Sequence, residues 1–419
     1  MRWFLQSACA ALIPATVEER SLECVVKPKI FIISMLKSEA SNKPNRLLTI
    51  VLWQFDPEAT VWWGIDEFDI LAMNITVPGF SPLFPEAHCT ADGEICQIVI
   101  GESEINAATS IMALAYSSRF DLTSTYFLVA GIAGVNPEVA TICSVTFARY
   151  AVQVALQYEF SQLEIPSNFS TGYVPLGATT PDEYPENIYG TEVFEVNQNL
   201  QKIAAGFARK ATLNDSDDAI LYRANYAANE AYAAGAAPSG PSVVECDTAT
   251  SDVYFSGTQL SEAFSNYTTL MTNGTGNYCT TAQEDNATLE ALMRAAVNKL
   301  VDFSRIIIMR TASDFDRPYP GEAATTNLFW AEQGAFEPAI QNIYLAGIKI
   351  VEGILDNWNS TFAGGVNASN YIGDIFDTLG YGSPDFGPYT YNNNQLKRSV
   401  SPMKRSVRGK KHMPVRVHA

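Results

Sequence analysis

The stretch RIIIMRTASDFDRP, residues 305–318, decides the fold class that this sequence predicts. Four consecutive apolar residues between Arg305 and Arg310 predict a short, fully buried β-strand. The polar residues that follow place Asp314 just past the carboxyl end of that strand, where open α/β sheets bind ligands. Because Ser313 and Arg310 lie close to it, this carboxyl group can be tuned to hold or release a proton, and Asp314 is the candidate general acid. The alternative is an Asp that only caps a helix or a turn after a core strand.

Other apolar runs repeat the pattern of a buried strand followed by a helix. With 47% hydrophobic residues, the chain has ample material for a sizeable core. The alternation predicts one three-layer α/β domain over residues 21–390. The clearest strands are predicted at residues 29–34, 95–100, 125–130 and 242–246, and the clearest helices at residues 101–116, 284–300 and 336–358.

Two glycine-containing segments follow predicted strands and are candidate pocket loops. They are Gly101-Glu102 and the segment from Gly131 to Gly134. Glycine lets a backbone approach a ligand closely, although tight packing alone would explain the same residues. Neither segment has the spacing of a phosphate-binding loop, because GxGxxG and GxxxxGK(S/T) are both absent.

Net charge and segment length restrict the partners of the chain. A formal charge of -18 disfavours nucleic acid. The basic tail at residues 391–419 is predicted to be disordered. The sequence shows no apolar run of the roughly 20 residues that cross a bilayer, so we expect no transmembrane segment in it. Whether the chain forms a homo-oligomer is left open.

The first residues and the sequons indicate a compartment outside the cytosol. Residues 1–20 resemble a weak secretory signal. Asn-x-Ser/Thr sequons, which would make the chain a glycoprotein, recur along it. We therefore expect a secreted or cell-surface protein that associates with a membrane only through a partner. The sequons lie at Asn74, Asn168, Asn214, Asn266, Asn273, Asn286, Asn359 and Asn367.

Cysteine and histidine usage argues against a metal centre, and we expect neither a metal nor a cofactor. The seven cysteines form no CxxC pair, and the chain has only three histidines. Cys89 and Cys96 flank a turn signal and are candidates for a disulfide, as are Cys246 and Cys279. Buried free thiols are an equally good interpretation.

Several stretches together resemble the fungal family named purine nucleoside permeases. The resemblance covers about residues 29–388, and the motifs recur in the same order. Through that family the chain is similar, more distantly, to nucleoside phosphorylases and nucleosidases, which implies a nucleoside phosphorylase-like fold with a central mixed sheet between helical layers. The matching stretches are FIISM (31–35), FDPEA (55–59), HCTADGE (88–94), and residues 101–108, 130–137, 250–257, 281–289 and 310–318.

The resemblance implies roles for residues at the purine base. The acid that protonates the base falls on Asp314, with Ser313 before it and Arg310 as the arginine of the strand. The segment that lies against the base falls on Tyr254 and Phe255. The two aromatic residues fit a core position equally well.

The resemblance also implies a carboxylate for the sugar and one for water. The carboxylate that binds the ribose hydroxyls falls on Glu284, and Asp252 lies near the base-contacting segment in a supporting position. The water-activating Glu of nucleosidases falls on Glu58. Residues 36–54, however, are an insertion relative to the family pattern, from either an unspliced intron or a lineage-specific insertion. Counting from the strand instead makes Glu39 the alternative.

Two functions from different classes follow from this resemblance. The first is hydrolysis of the N-glycosidic bond of a purine nucleoside, of the adenosine or guanosine type. A general acid beside the purine and a general base beside the sugar each accelerate such a reaction by roughly 10²- to 10⁴-fold. The second is nucleoside transport without catalysis, as the family name implies. The absence of Arg and Lys from residues 101–118 and 126–145 favours hydrolysis over phosphorolysis.

Overall fold

The chain forms a mixed β-sheet covered by helices in a computed structural model that describes residues 25–35, 57–234, 237–384 and 386. The strands are β1 (Ile30–Ser34), β2 (Met73–Thr76), β3 (Glu86–Cys89), β4 (Ile95–Val99), β5 (Tyr126–Val135), β6 (Val145–Ala148), β7 (Tyr150–Gln153), β8 (Gln157–Glu159), β9 (Tyr173–Pro175), β10 (Val193–Glu195), β11 (Val243–Glu245), β12 (Asp247–Thr250), β13 (Tyr278–Ala282), β14 (Ile306–Phe315) and β15 (Gly373–Asp374). The helices are α1 (Pro57–Thr60), α2 (Ser103–Ala115), α3 (Gln198–Ala208), α4 (Asp217–Arg223), α5 (Glu230–Ala234), α6 (Thr258–Met271), α7 (Asp285–Val297), α8 (Ala324–Phe329) and α9 (Phe336–Asp356).

The centre of the sheet is a parallel group of four strands. β1 pairs in parallel with β4 on one side and with β5 on the other, and β14 pairs in parallel with β5. β6 is antiparallel to β14, and β3 is antiparallel to β4, so the sheet as a whole is mixed. The carboxyl ends of the four central strands therefore meet at one edge.

Helices cover both faces of this sheet. Because successive side chains of a strand point to opposite faces, Phe31 and Ile33 pack with α2 and α7, while Ile30 and Ile32 pack with α3 and α9. Burial on both faces explains why the central strands are almost entirely apolar. The predicted α/β class with a mixed central sheet is confirmed.

Two strands are longer than predicted. The strand expected at residues 306–309 continues to Phe315, and the strand expected at residues 125–130 continues to Val135. Asp314 is therefore inside β14 and not past its end, and Gly131 and Gly134 lie in β5 and not in a loop. The two extensions pair with each other, with a register shift between Ala312 and Asp314. Sheet hydrogen bonds formed by this pairing outweigh the weak strand preference of glycine.

Several predictions fall on residues that the structure does not describe. These are the signal-like residues 1–20, the insertion at residues 36–54 with Glu39, the tail at residues 391–419, and the domain bounds at residues 21 and 390. The structure does contain both candidate disulfides, Cys89–Cys96 and Cys246–Cys279. Of the sequons, Asn286 is buried and binds the carbonyl of Thr191 through its amide, so it is not available for glycosylation.

Candidate active site

The candidate site is a pocket where the carboxyl ends of β1, β4, β5 and β14 meet the ends of β12 and β13. It brings together residues from seven separate stretches of the sequence, and three carboxylates singled out above, Glu58, Glu284 and Asp314, line it together. The full lining is Met35, Glu58, Glu102, Ile132, Ala133, Gly134, Ser251, Val253, Tyr254, Phe255, Thr281, Ala282, Gln283, Glu284, Arg310, Ser313 and Asp314.

Glu58 is held by two backbone N–H groups, one directly after β1 and one in β5. It lies in the short helix α1 and is buried. Its Oε2 accepts from the backbone N of Met35 at 3.1 Å, and its Oε1 accepts from that of Ile132 at 2.8 Å. A carboxylate with both oxygens bound in this way has a fixed orientation towards the pocket.

Glu284 and Arg310 form a buried ion pair in the floor of the pocket. Glu284 precedes α7 as its N-cap, but its side chain caps nothing in that helix. Its Oε2 lies 3.2 Å from Arg310 Nη2, and its Oε1 accepts from the backbone N of Ser103 at 3.1 Å. Arg310 also binds Asp285, at 2.5 Å between Nη2 and Oδ1. Glu284 thus stands at the start of α7 and also forms an ion pair with Arg310.

Burial and neighbouring charges act in opposite directions on the pKa values of Glu284 and Arg310. Burial raises the pKa of Glu284, while Arg310 and the Ser103 N–H act to lower it. Burial alone would lower the pKa of Arg310, but Asp285 and Glu284 raise it above its ordinary value. The guanidinium therefore stays charged and compensates the two acids.

Each carboxylate oxygen of Asp314 lies close to the hydroxyl group of another side chain. Ser313 Oγ lies 2.6 Å from Oδ1, and Tyr254 Oη lies 3.3 Å from Oδ2. Tyr254 is half exposed at 49%, whereas Phe255 is buried at 5% and packs in a hydrophobic cluster with Phe264. Of the two predicted aromatic contacts, Tyr254 is thus the exposed residue of the pocket, and Phe255 is chiefly a core residue that borders the pocket.

A second group of acidic residues, Glu102, Glu104 and Asp252, lies beside Glu284 at the pocket. Glu102 lines the pocket, and the backbone N of Glu104 donates to Asp252 Oδ1 at 2.8 Å. Burial, together with the charges of Asp252 and Glu284, raises the pKa of Glu104 to about 7. Asp252 and Gly101 border this region without lining the pocket itself.

The two glycines of β5 serve close packing around the carboxylates. A Cβ at Gly131 would lie 3.1 Å from Glu58 Oε1 and 3.0 Å from Arg310 Nη1, and one at Gly134 would lie 3.3 Å from Asp314 Oδ2. The backbone N of Gly134 also donates to Thr281 Oγ1 at 2.9 Å. Gly134 lines the pocket, and Gly131 lies behind it.

Sequence reasoning missed Asp285, Glu104 and Thr281. Asp285 directly follows Glu284 at the start of a predicted helix. Two adjacent acids there, together with an arginine in a buried strand, would have been a usable signal that both acids bind the same arginine. Glu104 and Thr281 have no comparable local signal, because their partners are distant in the sequence.

Comparison with known proteins gives a consistent picture. The family model described as purine nucleoside permease matches residues 27–367. A purine nucleoside permease of Candida albicans is 45% identical over 374 residues, which cover 88% of this chain and 85% of that protein. A probable purine nucleoside permease of Schizosaccharomyces pombe is 38% identical over 360 residues, covering 84% and 96%.

Solved structures with a similar fold share little sequence with this chain. A 5′-methylthioadenosine/S-adenosylhomocysteine nucleosidase from Colwellia psychrerythraea, in complex with adenine, is 12% identical with a TM-score of 0.44, covering 79% of this chain and 97% of that one. A futalosine hydrolase of Helicobacter pylori is 14% identical with a TM-score of 0.42, covering 80% and 98%.

The names of the relatives correct one expectation. Permeases are transport proteins of membranes, and this contradicts our expectation of a secreted or cell-surface protein. Within the described residues, no helix has the length and apolar character needed to cross a bilayer. The family model matches most of the chain, and two relatives are 45% and 38% identical to it. This chain therefore belongs to the purine nucleoside permease family.

Proposed function

We propose that the chain binds a purine nucleoside in this pocket and hydrolyses its N-glycosidic bond. The observation that carries the proposal is that Glu58, Glu284 and Asp314 line one pocket. An acid, a base and a sugar-binding carboxylate are the groups that this reaction needs.

Asp314 acts at the base. Cleavage of the glycosidic bond leaves its electron pair on the purine, and Asp314 supplies the proton that neutralises this charge at N7. Ser313 donates to one carboxylate oxygen at 2.6 Å and sets the direction of the other. Tyr254 is the aromatic residue that offers a ring for stacking on the base.

Glu58 and Glu284 act at the sugar. Water adds to C1′ as the bond to the base breaks, and Glu58 accepts the proton of that water. Glu284 binds the ribose hydroxyls, while Arg310 holds its carboxylate in place from behind. Negative charge on both residues also stabilises the positive charge that develops on the ribose.

The charge of the pocket favours water over phosphate as the nucleophile. Among the described lining residues Arg310 is the one Lys or Arg, and its guanidinium is already bound to Glu284 and Asp285. The carboxylates of Glu58 and Glu102 would repel an incoming phosphate. Phosphorolysis would need a cation that is free to bind this anion.

The experiment is an assay of the purified full chain with adenosine and with guanosine, with and without phosphate. We expect release of free base and ribose at a rate that phosphate does not change. Formation of ribose 1-phosphate that depends on phosphate would exclude hydrolysis. The Asp314→Asn variant is the matched control for an acid-dependent reaction.

The second candidate is nucleoside transport without catalysis, and the names of the relatives favour it. The same pocket would then serve as a binding site. Tight nucleoside binding by the unaltered chain with no release of free base would support this function and reject hydrolysis.

A further inference from the structure

A second cavity adjoins the candidate site on the side of Asp314. The pocket described above has a volume of only about 60 Å³, whereas its neighbour has about 570 Å³. Tyr254, Ser313 and Asp314 line both. Ligand pockets for small molecules usually have at least a few hundred Å³. A nucleoside whose ribose lies over Glu284 must therefore extend its base past Asp314 into the second cavity.

One polar side chain of this second cavity has an unused donor. Gln333 is only 8% exposed and lines the cavity. Its Oε1 accepts from the backbone N of Phe315 at 2.8 Å. Since a backbone N–H requires an acceptor, this bond fixes which end of the amide is the oxygen. No acceptor for Gln333 Nε2 is found among the described residues, so the NH₂ group of this cavity-lining residue can bind a ligand.

The position of this donor would place it beside the edge of a purine that carries N7 and the substituent at position 6. Phe315 directly follows Asp314, so the amide of Gln333 is anchored next to the proposed acid. On a purine, the group beside N7 on the same edge is the substituent at position 6. In guanosine and inosine that substituent is an oxygen, which accepts hydrogen bonds, and in adenosine it is an amine, which donates them.

We propose that Gln333 donates to the oxygen at position 6 of the base, so that the site selects 6-oxopurine nucleosides over 6-aminopurine nucleosides. The proposal rests on the proposed function, because it places N7 at Asp314. An amine at position 6 would meet the NH₂ group of Gln333 donor to donor and leave both unsatisfied. Sites built to bind one polar group reject the analogue that cannot pair with it.

The test measures binding by calorimetry with 9-deazainosine and 9-deazaadenosine. Their glycosidic bond joins two carbon atoms and is not hydrolysed, and both carry N–H at position 7. We expect the unaltered chain to bind 9-deazainosine at least about tenfold more tightly, the worth of one hydrogen bond to a buried donor. Equal affinities, or a preference for 9-deazaadenosine, would overturn the proposal.

The Gln333→Glu variant tests whether this residue is the cause. A carboxylate keeps the acceptor for Phe315 N and replaces the donor with a second acceptor, so the preference should move towards 9-deazaadenosine by about tenfold or more. Gln341→Glu makes the same change at an exposed position of α9 and should leave the preference unaltered. If Gln333→Glu does not fold, the affinities of the unaltered chain for the two ligands still test whether the site prefers 6-oxopurine nucleosides.

The outcomes separate this proposal from the proposed function. If both analogues bind equally and hydrolysis of nucleosides proceeds, only the role of Gln333 is rejected. If neither analogue binds, the nucleoside site itself is rejected, and this selectivity with it. A preference for 9-deazainosine that Gln333→Glu does not change also overturns the assignment to Gln333.

Discussion

Arg310 and Glu284 form an ion pair, 3.2 Å between Nη2 and Oε2, with both side chains at most 4% exposed. The same guanidinium binds Asp285. One buried cation therefore compensates two adjacent acids and holds the proposed ribose-binding carboxylate in the pocket.

Replacement of Arg310 by Met should destabilise the fold strongly. It leaves Glu284 and Asp285 as buried acids without their cation, which costs about 3–5 kcal/mol. Arg310→Lys keeps the charge but not the geometry of the two bonds, so the loss should be smaller. Urea unfolding of the three proteins measures the difference. Equal stability of the Met variant and the unaltered chain would contradict the role of Arg310.

Asp314→Asn should abolish most hydrolysis while the fold and nucleoside binding persist. The amide cannot supply the proton at N7, and we expect a loss of roughly 10²- to 10⁴-fold in kcat. Ser313→Ala removes only the hydroxyl that orients Asp314, so its kcat should lie between those of Asp314→Asn and the unaltered chain. A kcat for Ser313→Ala below that for Asp314→Asn would be the opposite of this expectation.

Glu58→Gln should reduce both activity and stability. Gln keeps one acceptor oxygen, but its NH₂ group then faces either the Met35 N–H or the Ile132 N–H, and a buried donor without a partner costs about 1–3 kcal/mol. The loss of the base should lower kcat by roughly 10²-fold or more. Steady-state kinetics and thermal unfolding test the two effects separately. Unchanged kcat would assign the water-activating role elsewhere.

Gly131→Ala should disturb Glu58 through simple crowding. The added methyl group would lie 2.9 Å from Met35 Sδ and 3.1 Å from Glu58 Oε1, and we expect a cost of about 1–3 kcal/mol with reduced activity. Gly364→Ala is the matched control, because a Cβ there meets nothing within 4 Å among the described residues. Similar behaviour of the two variants would show that the close approach at Gly131 is unimportant.

Glu104 should make stability decrease as the pH rises. Burial, Asp252 and Glu284 raise its pKa from 4.5 to about 7 in the folded chain. A carboxyl group with a raised folded pKa contributes its stability fully below pH 4.5 and loses it as the pH rises to about 7. Glu104→Gln removes this titration. The unfolding temperature of the variant relative to the unaltered chain should therefore increase between pH 4.5 and 7, and a flat difference would reject the assignment.

Local sequence determined the apolar strands, and the resemblance of the motifs indicated the roles of three carboxylates. β1 and the first half of β14 are uninterrupted apolar runs, because strands buried on both faces need apolar side chains at every position. Such runs can be recognised without knowing what packs against them. The length of β5 was not predictable in this way, because glycines at positions 131 and 134 adopt a strand only once β14 pairs with them.

Tertiary structure alone decided which side chains meet. Glu58 binds the backbone of Ile132, and Tyr254 binds Asp314, across 74 and 60 positions of the sequence. These contacts depend on the order of strands in the sheet, which places β14 against β5 and brings the start of α7 beneath Arg310. A sequence records the chemical type of each group, but the distance between two remote groups is set by how the whole core packs.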